Sequence, residues 1–381
     1  MHTSPADLPG SGDAGGMNVV EYHQAFALAE LGHRVDLITR RSDPGQADVV
    51  ELSDRVRLLH LPAGPATKLA KSLIDAHIDE FSTHLGLLQP YDVLHSHHWM
   101  SGVAALPVAR AWGVPHLQSF HSVAALPGSA LSDGEPPESP ARVPGERLVA
   151  TESDAVIAIS AAEARTVVER CGADPDRVVI VPPGVDRTIF QAGTSPVETP
   201  GYLLYAARLQ PLKGPDLAIG ALAEVPAELR PDLLIAGDVS ADFAAYEADL
   251  HALVEAHGLT GAVHFIGPQP REKLAELMRG ARIVLVPSHS ETFGLIALEA
   301  EACGTPVIAS AAGGLREAVV HGETGQLMDS RQPEDWGTAI TRLLAKPQRL
   351  ARMGVVAQIH ARRFNWDWTA RLLELHYREL L

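Results

Sequence analysis

The chain has 381 residues, with 31 lysines and arginines against 47 aspartates and glutamates, and a formal net charge of −16. This length predicts two or three domains, and a composition of 46% hydrophobic and 20% charged residues excludes a largely disordered chain. The acidic balance argues against a nucleic-acid-binding protein and against stable membrane binding, because both depend on clustered lysine and arginine.

No apolar run approaches the roughly 20 residues that a membrane-spanning helix needs. The first residues, MHTSPADLPG, lack the basic and apolar regions of a secretory leader. Cys171 and Cys303 show neither CxxC nor Cys/His ligand spacing, which fits a reducing compartment without structural zinc. We therefore expect a cytoplasmic protein.

Short apolar β-type segments alternate with helical patterns along the whole chain. Strands are predicted at residues 34–39, 56–61, 92–95, 116–120, 155–160, 178–182, 202–206, 233–237, 263–267, 282–287, 306–310 and 325–328. Because their apolar runs are continuous rather than alternating, the strands are predicted to be parallel and covered on both faces. The predicted fold class is α/β, with a doubly wound architecture that occurs twice.

The predicted linker between the two units is the segment 184–201, which is rich in Pro, Gly, Ser and Thr and has no periodicity. It separates an N-terminal domain, residues 1–186, from a C-terminal domain, residues 200–364. A last helix, residues 365–381, has an apolar stripe that can pack across either domain, with a return to the N-terminal domain as one possibility. The stripe consists of Trp368, Leu372, Leu375 and Leu380.

A glycine-rich segment, GSGDAGGMN at residues 10–18, satisfies G-x-G-x-x-G and leads into a helix. A dinucleotide fold requires a strand before this motif, and no apolar run precedes it. Its free N–H groups and the helix N-terminus can still face a phosphate or a sugar hydroxyl, with a plain tight turn as the alternative.

Two cations, Arg208 and Lys213, follow the first strand of the second half and precede a helix that begins near Gly214. Together with the helix dipole they can converge on a diphosphate, the alternative being solvated surface residues. A later strand leads into Glu291 and, eight residues on, Glu299, both predicted on one side of a helix. Such carboxylates can accept hydrogen bonds from sugar hydroxyls, although Glu291 can also cap the helix.

Histidines follow two strands of the first half that are consecutive along the chain. They are His95, His97 and His98 after one strand and His121 after the next. Because the HSHH segment has no carboxylate or cysteine at ligand spacing, the polar lining of a cleft is favoured over a metal site.

These motifs together resemble the retaining family 4 glycosyltransferases of the GT-B fold, in which two Rossmann-like domains face each other across a cleft. The resemblance is carried by R-x4-K, by E-x7-E and by the segments ETFGLIALEAEACGTPVIAS and VPPGVD. It implies a hexosyltransferase whose co-substrate is a nucleotide sugar and which requires no metal or other cofactor.

The resemblance also implies roles for particular residues. The catalytic residues would be His121, Arg208, Lys213 and Glu291. The donor diphosphate would contact Arg208, Lys213, Gly15 and Gly16, the ribose would contact Glu299, and the donor sugar would contact Glu291. Further donor-binding residues would be Thr292, Phe293 and Gly294.

Within this family, HTSP, GDAGGMNV, HSHHWMSG and PESPAR look most like enzymes that transfer N-acetylglucosamine from a UDP donor to 1D-myo-inositol 3-phosphate. In those enzymes a Lys, a Tyr, a Thr and an Arg hold the acceptor phosphate, and an Asn contacts the acceptor. The corresponding residues are Lys71, His98, Ser122, Arg142 and Asn18. Because His98 and Ser122 depart from that pattern, another cyclitol or a small thiol stays open as acceptor, and Lys71 has the alternative of a solvated helix residue.

The resemblance further implies a strand ahead of HTSP, so either the innermost strand of the first sheet is missing or the start codon is misassigned. The implied partners are a small-molecule donor and acceptor, and a homodimer is left open.

Three rival functions remain. An NADP-linked oxidoreductase would use the glycine motif with Arg40 and Arg41 near a 2′-phosphate. A glycosidase would use Glu291 and Glu299, although residues eight apart on a helix are about 12 Å apart, beyond the separation of glycosidase carboxylates. A nucleotide-sugar sensor would keep the motifs without turnover.

Overall fold

The computed structural model describes residues 1–7, 15–125, 139–193, 201–239, 243 and 245–381. Residues 10–14 of the glycine-rich segment, residues 126–138 and residues 194–200 of the predicted linker therefore lie outside the described residues.

The N-terminal domain contains seven strands and five helices in the described ranges. The strands are β1 (Val35–Arg40), β2 (Val49–Glu51), β3 (Val56–Leu61), β4 (Leu94–His97), β5 (His116–Ser119), β6 (Ala155–Ala158) and β7 (Val178–Ile180). The helices are α1 (Gly16–Glu30), α2 (Ile78–Gly86), α3 (Trp99–Trp112), α4 (Arg142–Glu152) and α5 (Ala161–Thr166).

The C-terminal domain follows with six more strands. They are β8 (Tyr202–Ala206), β9 (Asp232–Ala236), β10 (Val263–Phe265), β11 (Ala281–Val286), β12 (Val307–Ser310) and β13 (Gly325–Met328). The helices are α6 (Pro215–Ala223), α7 (Tyr246–Ala256), α8 (Arg271–Gly280), α9 (Leu295–Ala302), α10 (Leu315–Ala318), α11 (Pro333–Leu344), α12 (Pro347–Ala361) and α13 (Trp366–Leu380).

The C-terminal sheet is parallel throughout, with the order β10-β9-β8-β11-β12-β13. This is the doubly wound order in which the chain starts at the centre, moves to one edge and then returns to the other side. Side chains such as Leu203, Ile283 and Ile308 are completely buried, because helices cover both faces. The predicted doubly wound α/β architecture is confirmed.

The N-terminal sheet consists of two separate parts, β1-β3-β2 and β4-β5-β6-β7. Each predicted strand is present with its ends shifted by at most a few residues, whereas β2 was not predicted. β2 is a three-residue edge strand and pairs antiparallel with β3, so the expectation of parallel strands throughout is wrong at this edge.

Helix α13 packs on α1 of the N-terminal domain. The buried ring of Trp366 stacks on His23 with centroids 5.0 Å apart, and the Thr369 hydroxyl donates to the carbonyl of Pro182. The predicted apolar stripe is wrong for Trp368 and Leu375, which are exposed, because the buried face is formed by Trp366, Thr369, Ala370 and Leu373.

A cavity of about 500 Å³ lies between β1 and β4, and both strands contribute to its wall. Neither strand has a second neighbour in the part of the chain that the structure describes.

Candidate active site

Arg208, Lys213 and Glu291 lie where the winding direction of the C-terminal sheet reverses. Arg208 follows β8, Glu291 follows β11, and these two strands are neighbours at the centre of the sheet. Lys213 ends a 3₁₀ turn, Pro211–Lys213, and Gly214 with φ of +67° then starts α6. Ligands of open α/β sheets bind at such reversal points. The fold thus brings both predicted cations to one edge with the first predicted carboxylate.

Lys213 and Glu291 form an ion pair, with Nζ 2.7 Å from Oε1, and both side chains are largely shielded from solvent. The Ser288 hydroxyl donates to the same oxygen at 2.9 Å. The prediction that Glu291 shares a helix with Glu299 is wrong, because α9 begins only at Leu295, after Gly294 with φ of +99°. No side chain caps α9, so Glu291 is not its cap.

Glu299 lies on α9, is buried, and forms an ion pair with Arg271, Oε1 to Nη1 3.2 Å. Burial raises the pKa of Glu299, and the charge of Arg271 opposes that shift. The Arg271 guanidinium also lies 4.9 Å from the centre of the Phe190 ring. The sequence motifs did not indicate Arg271. Its position is nevertheless similar to that of Arg208, because Arg271 begins α8 soon after β10.

A cavity of about 190 Å³ joins these groups. Its wall includes Gly15, Gly16, Arg208, Lys213, Gly237, Gln269, Arg271, Glu291, Gly294 and Glu299. Arg208 and Lys213 therefore line the same cavity as the ion pair between Glu299 and Arg271.

The N-terminal side of this cavity is the start of α1. Gly15 is extended and its N–H donates to the Asn18 Oδ1 at 3.0 Å, while the Asn18 Nδ2 donates to the carbonyl of Ser4 at 2.6 Å. A Cβ at Gly15 would lie 3.9 Å from the Arg208 Nη2, so the glycine backbone is close to that cation. Asn18, predicted to contact the acceptor, also fixes the Gly15 loop.

A second cavity, of about 330 Å³, is lined mainly by the N-terminal domain and contains every predicted acceptor residue. These are Asn18, Lys71, His98, Ser122 and Arg142. The two cavities have a common wall formed by Gly15, Gly16, Arg208, Lys213, Glu291, Gly294 and Leu295.

Arg142 is almost completely buried and bonds Glu146, Nε to Oε1 2.8 Å, and the Ser122 hydroxyl at 3.2 Å. His98 is also buried, and its ring centroid lies 4.3 Å from that of His2. Burial, followed by the charges of His2, Lys71 and Arg142, holds the pKa of His98 well below its ordinary value. Among the predicted acceptor residues, the positive charge therefore comes from Lys71 and Arg142, with His98 neutral.

His121 and Thr292 connect the two domains. The Thr292 hydroxyl donates to the carbonyl of His121 at 2.6 Å, and the Ser160 hydroxyl donates to the carbonyl of Thr292 at 2.7 Å. Burial lowers the pKa of His121 to about 4, so the ring is neutral at pH 7. Phe293, beside Thr292, has its buried ring edge-on to Phe364, which anchors this loop in the core.

Arg40 does not offer its guanidinium to a ligand, as a site for the 2′-phosphate of NADP would require. Its buried guanidinium donates to the carbonyls of Arg41, Pro65 and Thr67, and therefore holds a loop of its own domain. The structure contradicts the 2′-phosphate site of the oxidoreductase alternative.

No group of three or more His, Cys, Asp or Glu side chains within the described ranges is arranged to hold a metal ion. Over the same ranges, no helix combines the length and apolarity that crossing a membrane would take.

Two family models together match most of the chain. Residues 15–184 match a glycosyl transferase 4-like domain, and residues 186–359 match the glycosyl transferases group 1. The chain belongs to the family 4 glycosyltransferases. Enzymes of this family use nucleotide sugars as co-substrates.

Individual relatives agree with this assignment. The chain is 40% identical to the D-inositol 3-phosphate glycosyltransferase of Stackebrandtia nassauensis, with 97% of this chain and 88% of the relative covered. The solved structure of sucrose-phosphate synthase from Thermosynechococcus elongatus superposes with a TM-score of 0.90 at 29% identity and covers 100% of this chain and 97% of that one.

Anabaena HepE, solved in complex with UDP and glucose, shares the fold at 19% identity, with a TM-score of 0.74 over 91% of this chain and 100% of its own. The predicted GT-B fold is confirmed.

Proposed function

We propose that this glycosyltransferase transfers N-acetylglucosamine from UDP to 1D-myo-inositol 3-phosphate, with retention at the anomeric carbon. The observation that supports this best is the common wall of the two cavities, which contains Arg208, Lys213 and Glu291. A donor in the first cavity and an acceptor in the second would meet at that wall.

Arg208 and Lys213 stabilise the departing diphosphate. As the glycosidic C–O bond breaks, negative charge grows on the β-phosphate, and positive groups that are already in place lower the barrier. The Lys213 ammonium is held by Glu291, so its position is fixed before the donor arrives. The exposed N–H groups at the start of α1 add to the positive field near the phosphates.

The nucleoside lies on the Glu299 side of the first cavity. A carboxylate accepts hydrogen bonds only, so Glu299 suits the two hydroxyls of a ribose. The charge of Arg271, paired with Glu299, opposes the rise in the Glu299 pKa that burial causes. Gln269 and its neighbours at the end of β10 then face the base.

The acceptor phosphate lies between Lys71 and Arg142, with Ser122 and His98 as further hydrogen-bonding groups. A charged hydrogen bond from a lysine or arginine is the strongest contact a phosphate can make with a side chain. The acceptor hydroxyl would attack on the face that the diphosphate leaves, which gives retention without a covalent enzyme intermediate.

Closure of the cleft protects the donor from water. In the structure Thr292 contacts His121 across the cleft, and the Glu317 carboxylate of α10 accepts the backbone N–H groups of Ala161 and Ala162 at the start of α5. We propose that the domains close about the linker at 184–201 and that these bonds form on closure.

A donor-by-acceptor product screen read by mass spectrometry tests the proposal. UDP and GDP forms of glucose and N-acetylglucosamine are combined with inositol phosphates, free cyclitols and small thiols. We expect UDP-N-acetylglucosamine with 1D-myo-inositol 3-phosphate to give the fastest product, which is then analysed for α-configuration. Faster transfer to a free cyclitol or a thiol would favour the alternative acceptor. That outcome would agree with His98 and Ser122, which replace the Tyr and Thr of the phosphate-binding pattern. Release of sugar without any acceptor product would reject the transfer.

A further inference from the structure

Two histidines from neighbouring strands of the N-terminal domain make direct contact. His97 ends β4, His121 follows β5, and the His97 Nδ1 lies 2.7 Å from the His121 Nε2. Their rings are within 14° of the same plane, with centroids 5.0 Å apart. This is the geometry of an in-plane N–H···N hydrogen bond between two neutral imidazoles.

The backbone of His121 is fixed by its conformation and by two hydrogen bonds. Its φ of +59° is unusual for a residue with a side chain, and such strained backbone often occurs at functional sites. Its carbonyl accepts from Thr292, and its amide N–H is bonded by the Glu163 carboxylate. The remaining ring nitrogen, Nδ1, is buried without a partner among the described residues, and the residue lines the cavity assigned to the acceptor.

His97 is itself fixed by its neighbours. Its ring stacks on that of His95, with centroids 4.5 Å apart. The His95 Nδ1 lies 2.7 Å from the hydroxyl of Tyr377 on α13, and its Nε2 lies 2.9 Å from the hydroxyl of Ser119. The His97 ring therefore cannot turn freely.

We infer that His97 is a positioning residue, which fixes both the orientation and the tautomer of His121. The N–H···N bond contains one proton. If the His97 Nδ1 carries it, the His121 Nε2 accepts; if not, the His121 Nε2 donates. The protonation of the His121 Nδ1, the ring nitrogen without a partner among the described residues, follows from that choice. A ring with a fixed tautomer offers one defined donor or acceptor to a sugar hydroxyl, whereas a rotating ring offers both.

The catalytic consequence of this inference rests on the proposed function, and a double-mutant cycle measures it. His97→Leu introduces an apolar side chain of similar bulk that cannot form the hydrogen bond. His97→Asn places an amide near the position of the His97 Nδ1. We expect H97L to lower kcat by about 10- to 100-fold with a smaller change in donor KM, and H97N to retain most of the activity. In the His121→Ala background, H97L should have no further effect.

His116→Leu is the matched control. His116 is a buried histidine on β5 that bonds Ser96 and Ser153 and has no contact with His121. Its effect on kcat should be unchanged in the His121→Ala background. An H97L effect that is equally large with and without His121 would overturn the inference, as would an H97N variant as slow as H97L.

A second measurement does not depend on turnover. In protein labelled with ¹⁵N-histidine, the two ring nitrogens of His121, assigned by their loss in His121→Ala, report its tautomer directly. We expect a single neutral tautomer in the unmodified protein and averaged shifts in H97L. If no donor and acceptor pair gives a product, the proposed function fails while this measurement still tests the positioning role. Identical His121 shifts in both proteins would reject that role.

Discussion

Replacing Lys213 by alanine lowers kcat by about 10²- to 10³-fold while leaving the KM for the acceptor nearly unchanged. The reason is that the ammonium acts on charge that develops only as the diphosphate leaves, and such preorganised groups contribute about 3–4 kcal/mol to the transition state. The proposed acceptor phosphate contacts Lys71 and Arg142 instead, so acceptor binding should depend little on this charge. Steady-state kinetics with the preferred pair from the product screen measures both constants.

Two further variants separate the charge of Lys213 from its structural role. Glu291→Gln removes the partner of the ion pair at 2.7 Å but leaves the ammonium in place, so melting temperature can be compared between the two variants. Lys273→Ala, on the exposed surface of α8, removes a lysine that bonds only Glu276 among the described contacts and should leave kcat unaltered. An unaltered kcat in Lys213→Ala would remove the leaving-group role and with it the assignment of the first cavity.

Replacing Lys71 by methionine raises the KM for a phosphorylated acceptor by about 10- to 100-fold and leaves transfer to the phosphate-free cyclitol unchanged. A hydrogen bond to a charged group contributes about 1.5–3 kcal/mol, and methionine keeps most of the aliphatic stem. Lys71 lies in a short 3₁₀ turn at the surface of the cavity, so its loss should leave the melting temperature nearly constant. Equal losses for both acceptors would argue against a phosphate site.

Arg142 requires a different design, because it is buried against Glu146. Removing the arginine alone leaves a buried carboxylate without its partner, which typically costs about 3–5 kcal/mol of stability. We therefore expect Arg142→Met to unfold at clearly lower urea concentration. Pairing it with Glu146→Gln removes the stranded charge and preserves an acceptor for the N–H of Ala124. The double variant should recover stability yet keep the raised KM for the phosphorylated acceptor.

Much of the site could be predicted from the sequence, because in parallel α/β proteins ligands bind after the strands. Apolar runs mark the strands, so residues such as Arg208, Glu291 and His121 can be placed at strand ends without knowing the fold in detail. The spacing of the R-x4-K and E-x7-E motifs then indicated the family. Within that frame, the predicted donor and acceptor residues all line one of the two adjoining cavities, with Thr292 and Phe293 in the second.

The partners of these residues could not be predicted. Arg271 and Glu299 are 28 positions apart, and the bond between His97 and His121 joins two strands whose adjacency the periodicity does not report. Arg40 has a basic side chain after a strand, as Arg208 does, yet its guanidinium is used by carbonyls of its own domain. Sequence position alone does not distinguish a ligand-binding cation from a structural one.

The sequence by itself determined the fold class, the order of strands and helices along the chain, and the strand ends at which the functional side chains occur. It could do so because burial on both faces of a sheet leaves a local pattern of apolar residues. The tertiary structure decided which strands are neighbours, which carboxylate meets which cation, and which face of α13 is buried. Those outcomes depend on packing between distant segments, and no local pattern contains that information.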